Sequence, residues 1–306
     1  MAKQLRREAF ARARQFLKTQ ARPLEGALLA HWFEGASAGE SLAELAAFQN
    51  EDGGFGRALE PDLRTPSSSA LATAMGLRLL KELGCGADHP LVGRAMGYLL
   101  ATGEKGIWRI APSDTNSHPH APWWHDEEGS LARTFGNFAV NPRAEIVGLL
   151  HLFAAGVPAG WLAEVTAAVV ASIEGTETRG DGFLCALRLA ETDALPESFR
   201  SRLVPRLRGQ VFEVVARDPE QWASYCTPPL WAAPVPDSLV ADLLREEVQR
   251  HLDYLIETQA PEGHWSPFWS WGAFYPGVWA RARCEWCGHL TLNALVSLRA
   301  YGRLEC

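Results

Sequence analysis

"YLIETQAPEGHW", residues 254–265, is a helix tail that runs into a turn and closes on an aromatic ring. Tyr254 and Leu255 sit in the tail, Gln259 ends it, Pro261 and Gly263 break it, and Trp265 restarts an apolar run. The same order recurs in "YLLATGEKGIW" (98–108), with Gly103 in the place of Gln259 and one residue fewer in the turn. "LAAFQNEDGGF" (45–55) keeps the Gln and closes on Phe55, and "VVARDPEQW" (214–222) is a degraded fourth copy. The closing aromatics at 55, 108, 222 and 265 lie one or two units apart for a unit of roughly 50 residues. That length suits a helical hairpin, and about six would fill the chain.

Helical periodicity fills the intervals. Ser41 and Glu44 make a capping-box pattern ahead of Leu42, Leu45 and Phe48. Pro66 and serines 67–69 open a helix carrying Leu71, Met75, Leu79 and Leu83. Asp88 with Pro90 precedes Val92, Met96 and Leu99, and Asn141 with Pro142 precedes Ile146, Leu149, Leu150 and Phe153. The basic "KQLRREAFARARQFLK" places Leu5, Phe10, Ala13, Phe16 and Leu17 at helical spacing, as a surface helix does. Further runs cover 159–174, 181–192, 197–216 with a kink at Pro205, 238–258 and 287–301. "GDGF" reads as a turn, like "EDGGF". Strand-like alternation is nearly absent, so eleven or twelve helices in one all-α domain over 1–306 are expected.

Composition fits that expectation. The 306 residues are 47% hydrophobic and 21% charged, enough to bury a substantial core. A net charge of -7 argues against a nucleic-acid surface, which needs a basic face. No apolar run reaches transmembrane length and no signal peptide is legible, so a cytoplasmic protein without integral membrane insertion is expected. Six cysteines, including Cys306, do not make a disulfide framework, so reduced thiols are expected.

The turns resemble the Gln-Trp repeat of the squalene/oxidosqualene cyclase and protein prenyltransferase β-subunit superfamily, most clearly at 254–265. The resemblance implies an α/α toroid, with outer and inner helices in about six hairpins. Similar toroids occur in polysaccharide lyases, glycoside hydrolases and complement-type thioester domains, so it implies a fold more narrowly than an activity.

In such an arrangement, whatever follows each turn lies at one end of the ring. Three connections are long, 56–67, 109–141 and 266–285, and are expected to meet at one mouth. Trp108, Trp123, Trp124, Trp265, Trp269, Trp271 and Trp279 fall at or in them, more than half of the twelve tryptophans. The first supplies Glu60, Asp62 and Arg64. The two carboxylates suit general acid and base work beside an apolar cavity, or cap the helix opening near Ser67. Arg64 is either their ion-pair partner or a pocket cation. The second supplies His120, Trp123, Trp124, His125 and Asp126, which combine titratable groups with ring faces for proton transfer, or pin the loop by buried aromatics. The third supplies Trp265, Trp269, Trp271 and Tyr275 as a stacking or cation-π surface, or as packing.

"CEWCGH" offers Cys284, Cys287 and His289, the residue types of a prenyltransferase zinc site. A single Cys-x-x-Cys with one His, whose 287 and 289 diverge on a helix, is read as thiols and a helix-terminal His, and no metal or other cofactor is expected. The Asp-x-Asp-Asp and Asp-Asp-x-x-Asp motifs of the cyclases and terpene synthases, the thioester "CGEQ", and nucleotide-binding glycine motifs are all missing from the sequence. The functional expectation is an isoprenoid-like hydrophobic ligand in an aromatic, acid-lined cavity. The alternatives are a carbohydrate-active lyase or hydrolase acting on an oligosaccharide, and a non-catalytic binding or scaffold domain.

Overall fold

The computed structural model describes residues 3–305, so Cys306 lies outside the described residues. Among those described, helix is the only regular secondary structure, and β-type pairing is limited to isolated bridges. Thirteen α-helices run in the order α1 (Arg7–Thr19), α2 (Pro23–Glu34), α3 (Gly39–Ala46), α4 (Ala70–Glu82), α5 (Pro90–Thr102), α6 (Ser130–Thr134) and α7 (Arg143–Leu152). They continue through α8 (Ala159–Gly175), α9 (Gly180–Ala190), α10 (Glu197–Val214), α11 (Pro229–Ala232), α12 (Arg245–Thr258) and α13 (Pro276–Ala300). None is long and apolar enough to cross a membrane.

The chain divides into two compact units. A mid-chain unit comprises Leu45–Gly209, and a split unit joins Met1–Glu44 to Gln210–Cys306. In the mid-chain unit α4 packs on α5 and α7, and α7 packs on α8 and α9. Helix α7 is enclosed on all sides, with Arg143 through Leu150 buried, so any polar group it carries meets protein before it meets water. In the split unit α13 packs on α1 and α2, and α11 packs on α12. There Leu5 pairs with Leu304, its N–H donating to the Arg303 carbonyl at 2.7 Å.

The Gln turn has one design in both units. In the mid-chain unit Gln49 Nε2 donates to the carbonyls of Gly53 and Leu91, each at 2.9 Å, and the Phe55 N–H donates to Thr73 Oγ1 at 3.0 Å. In the split unit Gln259 Nε2 donates to Gly263 at 2.9 Å and Ala9 at 3.0 Å, and the Trp265 N–H donates to Thr291 Oγ1 at 3.1 Å. Arg94 and Arg12, each three residues beyond the second carbonyl, donate to the respective Gln Oε1. Gly53 and Gly263 have φ of 88° and 100°, and a Cβ on either would meet backbone, 2.4 Å from Arg94 O or 2.3 Å from Arg12 C. Only glycine fits that conformation and that approach.

Where the closing ring is Trp, its indole N–H returns to the chain before the turn. Trp108, Trp222 and Trp265 donate to the carbonyls of Leu99, Ala216 and Leu255, each at 2.8 Å. Burying an indole of about 150–250 Å² is worth up to about 4–6 kcal/mol at about 25 cal/mol per Å², so these rings are major anchors of the hairpins.

Several local expectations are corrected. Ser41 lies inside α3 and its hydroxyl is buried without a partner, so no capping box forms there. His89, not Asp88, caps α5 through Leu91 N. "GDGF" is the first turn of α9, and α12 begins at Arg245, well after 238. Helix α2, unmarked by periodicity, is apolar around much of its circumference and so carries no single stripe. Helix α13 starts at Pro276, inside the stretch expected as loop, because Pro at the first helical position is an initiator.

Candidate functional site

The segment after the Gln49 turn is bent sharply. Arg57 and Ala58 have φ of 53° and 61°, and Glu60 Oε2 accepts from the Asp62 N–H at 2.5 Å. This brings the strand-like residues 62–64 alongside 119–121. Leu63 pairs antiparallel with His120, Ala121 N donates to Asp62 O at 2.9 Å, and Arg64 N donates to Pro119 O at 3.1 Å. Glu60 is 5% exposed, Asp62 2% and His120 1%, while Arg64 is half-buried. Neither carboxylate caps α4: Ser69 does, its hydroxyl accepting from Ala72 N at 3.0 Å.

The histidines form a directed pair. His120 Nδ1 lies 2.6 Å from the His118 carbonyl, which only accepts, so Nδ1 carries the proton. In the neutral ring Nε2 then accepts from His125 Nδ1 at 3.1 Å, with the two rings within 10° of parallel. Burial holds His120 below the usual histidine range, and the neighbouring His125 pushes in the same direction. Trp124 is buried, stacked on Phe135 at 5.4 Å, with its indole Nε1 enclosed and without an acceptor; Trp123 is half-buried. Asp126 accepts from the Leu131 N–H at 3.1 Å and pairs with Arg109 at 2.6 Å. The Leu131 N–H, with Arg109, holds Asp126 below the ordinary carboxylate range. Its bonds pin the loop. Asp114 staples the two segments by accepting from Thr65 at 3.1 Å and Ser67 at 2.7 Å. The first connection thus lies against the start of the second, Asp62–Arg64 beside Pro119–Ala121.

A second polar group, which draws on three helices, lies where α4, α7 and α9 meet. Glu145 on α7 is bridged by Arg78 of α4 and, at 2.8 Å, by Arg188 of α9. Burial alone would raise Glu145, but Arg188 and Arg78 outweigh it and hold the carboxyl low. Burial drives the Cys185 thiol up. Glu82 and Asp181 touch solvent, yet crowding by surrounding protein raises both carboxyls. The signal was present as Asp181, Cys185 and Arg188 on one face of α9, and Arg78 with Glu82 on α4, each face otherwise apolar.

The third connection belongs to the split unit and is shorter than expected, ending at Pro276, so Trp279 stands on α13. Trp265 and Trp271 are core residues, the latter against Trp279 at 5.5 Å. Tyr275 is 39% exposed. Trp269 is half-buried in a wall with Phe268, Trp231 and Trp286, at ring separations of 5.0, 6.5 and 5.1 Å. Nε1 of both Trp269 and Trp286 is enclosed without an acceptor. Cys284 and Cys287 do not converge with His289: the thiols donate to Gln20 O and Ser266 Oγ, while His289 contacts Trp286 and Asn293. Among the described residues no group of three or more His, Cys, Asp or Glu side chains is placed to hold a metal ion. An open polar cleft beside the Trp222 turn, lined by Arg217, Asp218, Tyr225, Glu247 and Arg250, contains no sequence-predicted site residue.

Comparison of the chain with models of known protein families, with curated proteins and with solved structures finds no match.

Proposed function

We propose that the chain is an α/α toroid built like the isoprenoid cyclases and prenyltransferase β-subunits, and that it acts on an isoprenoid-like hydrophobic molecule by proton transfer. The carrying observation is the backbone pairing that runs the segment of buried Glu60 and Asp62 alongside the segment that carries the His120–His125 pair. Asp62 or Glu60 supplies the proton, the histidines relay it, and Trp123 and Trp124 provide the ring surface. The toroid reading is supported by the packing of sequence neighbours as hairpins, α1 on α2, α4 on α5, α7 on α8 and α11 on α12. It is also supported by the packing of α7 on both α4 and α9, as successive inner helices would pack. The proposed setting is the cytoplasm, with thiols reduced and no cofactor.

A second reading, carbohydrate chemistry, is favoured by the wall of Trp231, Phe268, Trp269 and Trp286. Its rings suit sugar faces. Thermal-shift screening with polyprenyl diphosphates, polyprenols and oligosaccharides, on wild type and Asp62→Asn, separates the readings. Isoprenoids should raise Tm in wild type more than in Asp62→Asn. A response to oligosaccharides alone selects the second reading, and no response to any ligand selects a scaffold.

A further inference from the structure

Arg143, the first residue of α7, is 5% exposed. Its Nε is enclosed with no hydrogen-bond partner, and no described carboxylate forms an ion pair with its guanidinium. Burial alone lowers its proton affinity, with no acidic neighbour opposing the effect. The other buried arginine, Arg303, is tied to Asp253, Gln249 and the Lys3 carbonyl. A nine-tenths buried arginine with an enclosed, unpartnered Nε and no counter-charge marks a place where an anion belongs.

The start of α7 supplies the rest of a receptor. No side chain caps the helix. The Ala144 and Ile146 amides donate to Val140 and Pro142 carbonyls, while the Arg143 and Glu145 amides have no acceptor among the described residues. Side chains lean toward the helix N-terminus, so the guanidinium of a first-position residue and the first-turn amides face the same end. The positive end of the ten-residue helix adds to the attraction for negative charge. We propose that Arg143 and the N-terminus of α7 form an oxyanion site that takes the carboxylate or phosphate group of a small molecule. The site does not depend on the acid and histidine chemistry of the preceding section.

Calorimetric titration of the full chain with inorganic phosphate and, separately, with succinate at constant ionic strength tests this. Wild type should bind at least one of them, and Arg143→Met should bind it at least tenfold more weakly. Arg143→Met should also melt no lower than wild type in anion-poor buffer, because an unpaired buried charge has gone. Binding of phosphate alone identifies a phosphoryl ligand, and binding of succinate alone a carboxylate. Arg143→Gln, neutral but polar, serves if the Met variant fails to fold. Absence of binding to wild type, or equal affinity in a folded neutral variant, overturns the proposal.

Discussion

The turns at Gln49–Phe55 and Gln259–Trp265 are built alike in two different units, and they differ in how they are sealed. Both use a Gln bridging two carbonyls, an Arg holding that Gln, a glycine pressed on backbone and a Thr receiving the closing amide. The first is more deeply buried and closes on Phe55, seated over Gly76; the second closes on an indole that also hydrogen-bonds Leu255. The polar frame therefore fixes the turn, and the ring is an adjustable plug.

That comparison can be broken at its frame first. Gly53→Ala and Gly263→Ala should each cost about 3 kcal/mol or more, from the left-handed backbone and the backbone clash together, read by urea unfolding. A smaller loss for one of them would show that the two turns are not equivalent.

The degraded copy offers the next test. It has lost its Gln, and Trp222 is instead braced edge-on by buried His251 at 4.6 Å. Burial lowers His251 to about 3. Above about pH 6.5 neither state binds the proton. Below it the unfolded chain does and the native state does not, so stability falls by about 1.4 kcal/mol per pH unit until about pH 3. Wild type should thus lose about 3 kcal/mol through this residue between pH 7 and 4.5, and His251→Asn should lose correspondingly less, measured by urea unfolding at both pH values.

At the Gln itself, Gln49→Ala should cost about 2 kcal/mol and Gln259→Ala about 1 kcal/mol, since the former leaves more deeply buried carbonyls unsatisfied. Equal costs would argue that burial does not separate the turns. The smallest effect belongs to the plug. Trp265→Phe, which copies the Phe55 closure, should lower stability by about 1 kcal/mol for the lost indole bond plus some packing, seen as a Tm drop of a few degrees.

The hairpin tails and turns were legible because their signals are local: Gln, Gly and an aromatic within a dozen residues. Even the shorter turn of 98–108 is real, the Trp108 indole reaching back nine residues where Trp265 reaches back ten. What stayed hidden is nonlocal. The meeting of Arg78, Glu145 and Arg188 draws on three helices, and no spacing within one of them announces the others. Glu60 and Asp62 read equally as helix caps because exposed carboxylates are the rule. Only the pairing of 62–64 with 119–121 shows that these two are enclosed. The third connection read too long because Pro276 is ambiguous between breaker and initiator.

The pairing of Leu5 with Leu304 constrains when the protein can be assembled during its synthesis. Helix α1 leaves the ribosome with Phe16 and Leu17 bare, long before the α13 surface that packs on it is made. At about 5–20 residues per second, the intervening residues 45–209 alone impose a delay of about ten seconds or more. The mid-chain unit, contiguous in sequence, can settle during that interval, whereas the split unit stays a half-finished, adhesive surface until α13 has been made.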